Sequence, residues 1–460
     1  MSLTGLAVLL AYLGGLGLAL FRHPRYGVYT YLAVYYLDPP SRWWSAFLPD
    51  MRWSLVAGVV ALLATLRAPV PPNTPSWSTT TPARLLIVFT VWLWIQNLWA
   101  LAPDEHLAAS ILFTKYVILF AMIYRLMSSL EELSGVLLVH VLGCFYLGWL
   151  AHIAPPGGRL EGVGGPGIDE ANALAMFMAT GVVCAAMIML AEKGWKRWTA
   201  ILAMPFLLNT IVQSQSRGAM LALVVAGLVL FYLKPKPFSK QFYVYAMLGI
   251  VGFGMIAQSS TFWDRMRTLE ATVDQNEEID SSAESRVVLF HAQVQMFLDH
   301  PLGVGHRGTA VLSPRYLDAK WLTKDPNNPS APPARSSHNS FMSALVEQGL
   351  PGAVIFIWLA AWVVKSIFTL KRFRDIAAEA RGPIVIYGPA VVGAAVVVLV
   401  AGNFTDYLKT EVQIWMWTLL AAITAIHIPK AETAAGATRV ARPMRSPLPL
   451  DKRKPRPGVP

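Results

Sequence analysis

Long uninterrupted apolar runs constrain this chain more than any other feature. Many are about 17 to 25 residues long, the length of helix that spans hydrocarbon. Inside lipid every backbone amide and carbonyl needs a partner within the chain, and a continuous apolar run meets that demand only as a helix. The runs cover residues 3–21, 28–37, 53–66, 85–101, 108–126, 133–153, 171–191, 198–212, 219–233, 242–257, 341–367, 384–402 and 412–428. Those at 28–37 and 53–66 are short enough to be broken or re-entrant pieces. The expectation is therefore an all-α polytopic membrane protein of about twelve spans. Composition agrees, with 55% hydrophobic and 14% charged residues, where a soluble domain carries about 25% charge.

The formal net charge of +11 raises nucleic acid as a partner, but its distribution argues against one. Lys and Arg concentrate in short loops between apolar runs and in the tail, the positive-inside pattern that also attracts anionic membrane lipids. Residues 67–84, 193–197, 234–240 and 371–374 are then cytoplasmic, together with the tail. Alternation puts 38–52, 103–106, 155–170, 214–217, 258–340 and 403–409 on the far side. Both cysteines, Cys144 and Cys184, lie within apolar runs, so no disulfide framework or CxxC metal pair arises. The run 3–21 lacks a basic n-region and a small-x-small cleavage site, and is expected to be retained. The organisation that follows is a first helical bundle (1–257), a large polar loop domain (258–340), C-terminal spans (341–428) and a disordered basic tail (429–460).

Within the loop domain, 283–299 reads as an amphipathic helix, with Val287, Phe290, Val294 and Phe297 at helical spacing and Asp299-His300-Pro301 ending it. Residues 302–308 form a turn-rich loop, 324–333 an extended linker, and Ser336 or Ser337 caps the helix that follows.

Gly303-Val-Gly-His-Arg-Gly308 has the GxGxxG spacing. A dinucleotide site needs a preceding strand and a later acidic residue, whereas here a helix and Pro301 come first, so the glycines read as a tight turn. Arg217, in Ser214-Gln-Ser-Arg-Gly218, is either an interfacial arginine with its head in water or a clamp on phosphate oxygens, for which its planar fork is suited. Arg265, Arg267 and Arg286 admit two readings as well. They are solvated partners of Glu277, Glu278 or Glu284, or an outward cationic set with Arg217 and Arg159. Arg286 near a helix start sits better with an anion beside it. His338 serves as a hydrogen-bonding residue or as a base near neutral pH, with Asn339 beside it to orient a sugar hydroxyl. His300 and His306 look like loop residues, and His140 and His152 lie in or beside a span. No HExxH, DxD or clustered ligand spacing points to a metal, and no GxSxG elbow points to a serine hydrolase.

Taken in order, these pieces resemble the O-antigen ligase family, related to O-antigen polymerases and bacterial protein O-glycosylation ligases. The resemblance rests on Ser214-Gln-Ser-Arg-Gly-Ala219, then Arg286 ahead of His300-Pro-Leu-Gly-Val-Gly305. It continues with His338-Asn-Ser-Phe-Met342 and Glu347-Gln-Gly-Leu-Pro-Gly352. Upstream, Arg159-Leu-Glu-Gly162 and Asn172 look like the family's earlier outer loop. His306-Arg307 departs from the residues common at that place.

The resemblance implies a GT-C-like glycosyltransferase with its large loop in the periplasm, in the bacterial inner membrane. It implies transfer of a glycan from undecaprenyl diphosphate to a sugar hydroxyl of lipid A-core, in lipopolysaccharide biosynthesis, without metal or cofactor. In that scheme Arg217, Arg265 and Arg286 hold the diphosphate and His338 is the base. Arg159, Asn172, Gln215 and Asn339 contact substrate, and direct attack inverts the anomeric carbon. A polymerase shares the layout, Asp38 or Asp50 is the rival base, and a transporter would place charge within the spans.

Overall fold

The structure is a computed structural model that describes residues 2–70, 72, 74–154, 160, 162–165, 167–234, 240–241, 243–244, 247, 250, 254, 281–324, 330, 332–376, 384–405 and 410–433. Among these the regular elements are helices, and the strand-like pairing is one isolated antiparallel bridge between Thr323 and Ala334. In chain order the α-helices are α1 (Leu3–Phe21), α2 (Arg25–Leu37), α3 (Trp53–Arg67), α4 (Thr81–Gln96), α5 (Pro103–Leu126), α6 (Leu130–Ile153), α7 (Ala171–Ala191) and α8 (Trp195–Ser214). They continue with α9 (Arg217–Leu233), α10 (Ser281–Asp299), α11 (Gly308–Tyr316), α12 (Ser340–Glu347), α13 (Gly349–Ile376), α14 (Ile384–Ala401) and α15 (Glu411–Ala422).

Seven of them are long and apolar enough to cross a membrane: α1, α5, α6, α7, α13, α14 and α15 with its continuation to Thr433. The apolar helices α3, α4 and α9 are shorter. The protein is thus a multi-pass membrane protein, helical among the described residues. The run at 242–257 and the tail beyond 433 lie largely outside the described residues.

α7 and α14 form the centre. Of their most apolar stretches 83% and 89% is buried, as is 83% of that of α15, against 17% for α1, which lies at the rim. Both central helices are apolar all round and rich in Ala, Gly and Val, so neighbouring backbones approach closely without lipid between them. α7 packs on α6, α8, α9 and α14.

Local chemistry moves several helix boundaries from those the hydropathy pattern predicts. α5 begins at Pro103 rather than 108, because proline suits the first helical position and Asp104 and Glu105 suit the positive end of the helix dipole. The single run expected at 341–367 is two helices. Gly349 breaks it at φ 68°, packed so close to the 301–303 backbone that a Cβ there would lie 2.3 Å from the Leu302 carbonyl carbon. The helix after residue 339 is capped by Asn339 rather than Ser336 or Ser337. Its Oδ1 accepts from the Phe341 and Met342 amides at 2.9 and 3.1 Å.

α10, α11 and α12 build a small core of their own from Leu289, Ala292, Met296, Val304, Leu312 and Val346. The spacing of Val287, Phe290, Val294 and Phe297 locates α10 but misjudges its buried face, since Val287 is 57% and Phe290 50% exposed. α10 turns inward the side on which Ala292 lets α11 and α12 come close.

The connections at the opposite end of the bundle are basic and tied together. Arg125 donates to the Ala68 carbonyl at 2.7 Å, Lys430 to Ser128 at 3.2 Å and Arg374 to Tyr232 at 3.0 Å. Glu192 gathers Ser134 at 2.5 Å, Lys196 at 3.5 Å and the Tyr387 hydroxyl.

Candidate functional site

Where the loop domain meets the bundle, a polar cavity of about 160 Å³ is lined by Glu170, His306, Arg307, Ser336, His338 and Glu347, among others. It holds two imidazole–carboxylate pairs. His338 Nδ1 lies 4.0 Å from Glu170 Oε1, with both side chains 40% exposed. His306 Nδ1 lies 3.3 Å from Glu347 Oε2, and those side chains are 8% and 5% exposed. The first pair is therefore accessible from outside and the second is interior.

Glu170 immediately precedes α7, yet its carboxylate does not cap that helix. Its Oε1 accepts from Asn172 Nδ2 at 3.0 Å and its Oε2 from the Thr405 hydroxyl at 3.1 Å. Thr405 belongs to the turn after α14, and that turn also holds α12. The Ser340 amide donates to the Gly402 carbonyl at 2.7 Å, and the Ser340 hydroxyl to the Thr405 carbonyl at 2.9 Å. His338 lies two residues before Ser340.

Phe404, next to Thr405, takes the Arg286 guanidinium over its ring, 5.8 Å from the centroid. It also packs on Gly218 so tightly that a Cβ there would lie 2.5 Å from Phe404 Cβ. Arg217 heads α9 one residue earlier, entered through Gln215 in the left-handed region at φ 51° and a Ser216 hydroxyl that accepts from the Ala219 amide at 3.4 Å. The heads of α9 and α10 thus both reach the 402–405 turn.

The interior pair is held from α4 and α5. The His306 amide donates to His106 Nδ1 at 2.8 Å, which leaves the His106 proton on Nε2, donated to the Leu93 carbonyl at 2.8 Å. The Gly305 amide donates to the Glu347 carbonyl at 2.8 Å, and Gln96 Nε2 to the same oxygen at 3.0 Å. Gly303 and Gly305, at φ 81° and 82°, make the tight turn that the glycine spacing predicts. Arg307 follows in the left-handed region at φ 65°, with its Nε 2.9 Å from Glu105 Oε2 and its Nη1 donating to Ser336 Oγ at 3.3 Å.

Among the residues singled out in the sequence, His338 and Asn172 meet at Glu170, Arg286 lies over Phe404, and Gln215 and Arg217 belong to the α8–α9 turn whose Gly218 packs on Phe404. Asn339 spends its carbonyl on capping α12. Arg159 and Arg265 lie outside the described residues. Asp38 is not a lining residue of the cavity. It ends α2 in the left-handed region at φ 43° and binds the Ser41 hydroxyl. Sequence reasoning missed Glu170, Thr405 and the lining role of His306 and Arg307. For Glu347 a signal existed, since it opens the Glu347–Gly352 motif, whereas nothing in the local pattern distinguishes Thr405.

No curated protein matches the chain. A family model does. The stretch from α8 through the loop domain into α13, residues 202–357, matches the family described as O-antigen ligase.

Proposed function

We propose that this protein is a membrane glycosyltransferase of the O-antigen ligase type. It takes a polysaccharide from undecaprenyl diphosphate and joins it to a sugar hydroxyl of lipid A-core, at the periplasmic face of the bacterial inner membrane. The observation that carries this reading is the meeting of three matched segments, headed by Arg217, Arg286 and His338, at one turn beside a polar cavity. The family match agrees with it.

In this mechanism the acceptor hydroxyl gives its proton to His338, and its oxygen attacks the anomeric carbon. The bond from that carbon to the diphosphate breaks, and negative charge grows on the leaving group. Cations aimed at that charge supply the largest single stabilisation available in such a site. Arg217 and Arg286 fill this role through planar donor forks that suit phosphate oxygens, Arg265 joins them, and Arg159 contacts substrate. Asn172, Gln215 and Asn339 contact the sugars. One displacement inverts the anomeric centre, with no metal and no cofactor taking part. Both substrates carry lipid, so a site at the end of the bundle receives each by lateral diffusion.

The test incubates the purified protein in nanodiscs with lipid-linked glycan, with and without lipid A-core. Glycan appearing on lipid A-core is the expected result. A lengthened donor without acceptor means a polymerase, and glycan recovered only on added protein means a protein O-glycosylation ligase. Retained anomeric configuration overturns the single displacement. Lipid-linked glycan crossing sealed vesicles without any transfer makes the protein a transporter.

A further inference from the structure

Glu170 is held as a positioning group is held. Its two oxygens are engaged from different parts of the fold, by Asn172 within α7 and by Thr405 from the turn after α14. It sits where a helix-capping side chain belongs and does not cap. A carboxylate offers about four lone-pair directions, so these two bonds leave acceptor capacity toward Nδ1 of His338, 4.0 Å away. That separation is too long for a hydrogen bond, and catalytic hydrogen bonds commonly tighten only when substrate is bound. The alternative pair, His306 with Glu347, is nearly closed to the outside, and its loop is pinned through His106.

We infer that Glu170 orients His338, an inference that rests on the reading of His338 as the base. With substrate bound, Glu170 Oε1 accepts the Nδ1–H of His338, which places the lone pair on Nε2 toward the acceptor hydroxyl. When Nε2 takes the proton, the O–H electron pair stays on the acceptor oxygen and forms the new bond to the anomeric carbon. The old carbon–oxygen bond breaks, and its pair leaves with the diphosphate. Glu170 remains a carboxylate throughout and stabilises the imidazolium without taking a proton, the division of labour seen in other imidazole–carboxylate pairs. Thr405 and Asn172 hold Glu170 at its two oxygens.

The experiment measures steady-state transfer by the full-length protein in nanodiscs. Glu170→Gln is expected to lower kcat by about 10- to 100-fold, a part of the roughly 10²–10⁴-fold that a general base supplies, while donor and acceptor KM stay within about twofold. Glu170→Asp, which keeps the charge, should recover part of that loss. Thr405→Val, which frees one oxygen, should show a smaller fall in kcat of the same kind. Because Glu170 acts through His338, adding Glu170→Gln to His338→Ala should cost nothing further. A Glu170→Gln effect confined to KM, or a further loss in the double variant, overturns the assignment. If His338→Ala is inactive while Glu170→Gln and Thr405→Val match the parent, the base reading stands and the Glu170 inference alone falls. If His338→Ala keeps the full rate, both fall. Thermal unfolding of each variant separates misfolding from lost chemistry, and Thr405→Val decides the matter if Glu170→Gln does not fold.

Discussion

Thr405 donates its hydroxyl to Glu170 at 3.1 Å across 235 residues of sequence, which bonds the turn after α14 to the start of α7. The preceding residue in that turn, Phe404, carries Arg286 on its ring and meets the backbone of Gly218. A turn outside the matched segment 202–357 therefore assembles what that segment presents.

Gly218 is the tightest joint in this assembly. Gly218→Ala puts a Cβ 2.5 Å from Phe404 Cβ, and overpacking of this kind costs about 1–3 kcal/mol. The expected outcome is a lowered Tm and a transfer rate that falls further than the Tm alone accounts for, as the 402–405 turn is displaced. A variant with parental Tm and rate would mean that the turn yields freely.

Gly349 carries both kinds of constraint, a φ of 68° and a virtual Cβ 2.3 Å from Leu302 and 2.5 Å from the Gly303 amide. Gly349→Ala should lose at least about 1–3 kcal/mol from backbone strain alone. Gly17 in α1 has nothing within 4 Å of a virtual Cβ, so Gly17→Ala should hold or raise the Tm. Thermal unfolding in detergent compares the two, and equal Tm changes would contradict the packing described at Gly349.

The Arg307–Glu105 pair is short at 2.9 Å, but its side chains are 41% and 54% exposed. Exposed pairs contribute little after screening by solvent, so Glu105→Gln should change stability by less than about 1 kcal/mol. Arg307 keeps its bond to Ser336. Denaturant titration reads this directly, and a loss of several times that size would show that the pair is shielded from water.

Glu192, outside the spans at the basic end, carries opposing influences. Burial raises its carboxyl, while donation from Ser134, Tyr387 and Lys196 overrides this and holds it below the ordinary value of 4.5. A depressed carboxyl stabilises the fold above its unfolded pKa, and the contribution is lost as pH falls through the folded value. Tm should therefore decline below about pH 4.5. Glu192→Gln should be less stable at neutral pH and show a flatter acid limb. A steeper acid limb in the variant would reverse the assignment.

Much of the architecture is legible along the chain. The apolar runs predict the helices of the bundle, the glycines at 303 and 305 predict their turn, and the His338–Met342 motif marks a residue, His338, that lines the cavity. The cap at Asn339, the inward face of α10 and the break at Gly349 are not legible, because each depends on what packs against it. Thr405 and Glu170 are the clearest case. Nothing near Thr405 distinguishes it from any polar residue after a span, and Glu170 reads as a helix-start acid.

The sequence by itself determined that this chain lives in a membrane as helices, and where its polar insert interrupts them. The reason is local, since hydrocarbon accepts only apolar side chains on a backbone whose hydrogen bonds close within the helix. The tertiary structure decided which polar groups meet. A hydrogen bond needs its partners within about 3 Å and in line, and only the packing of α7, α12 and α14 brings Glu170, His338 and Thr405 to one place.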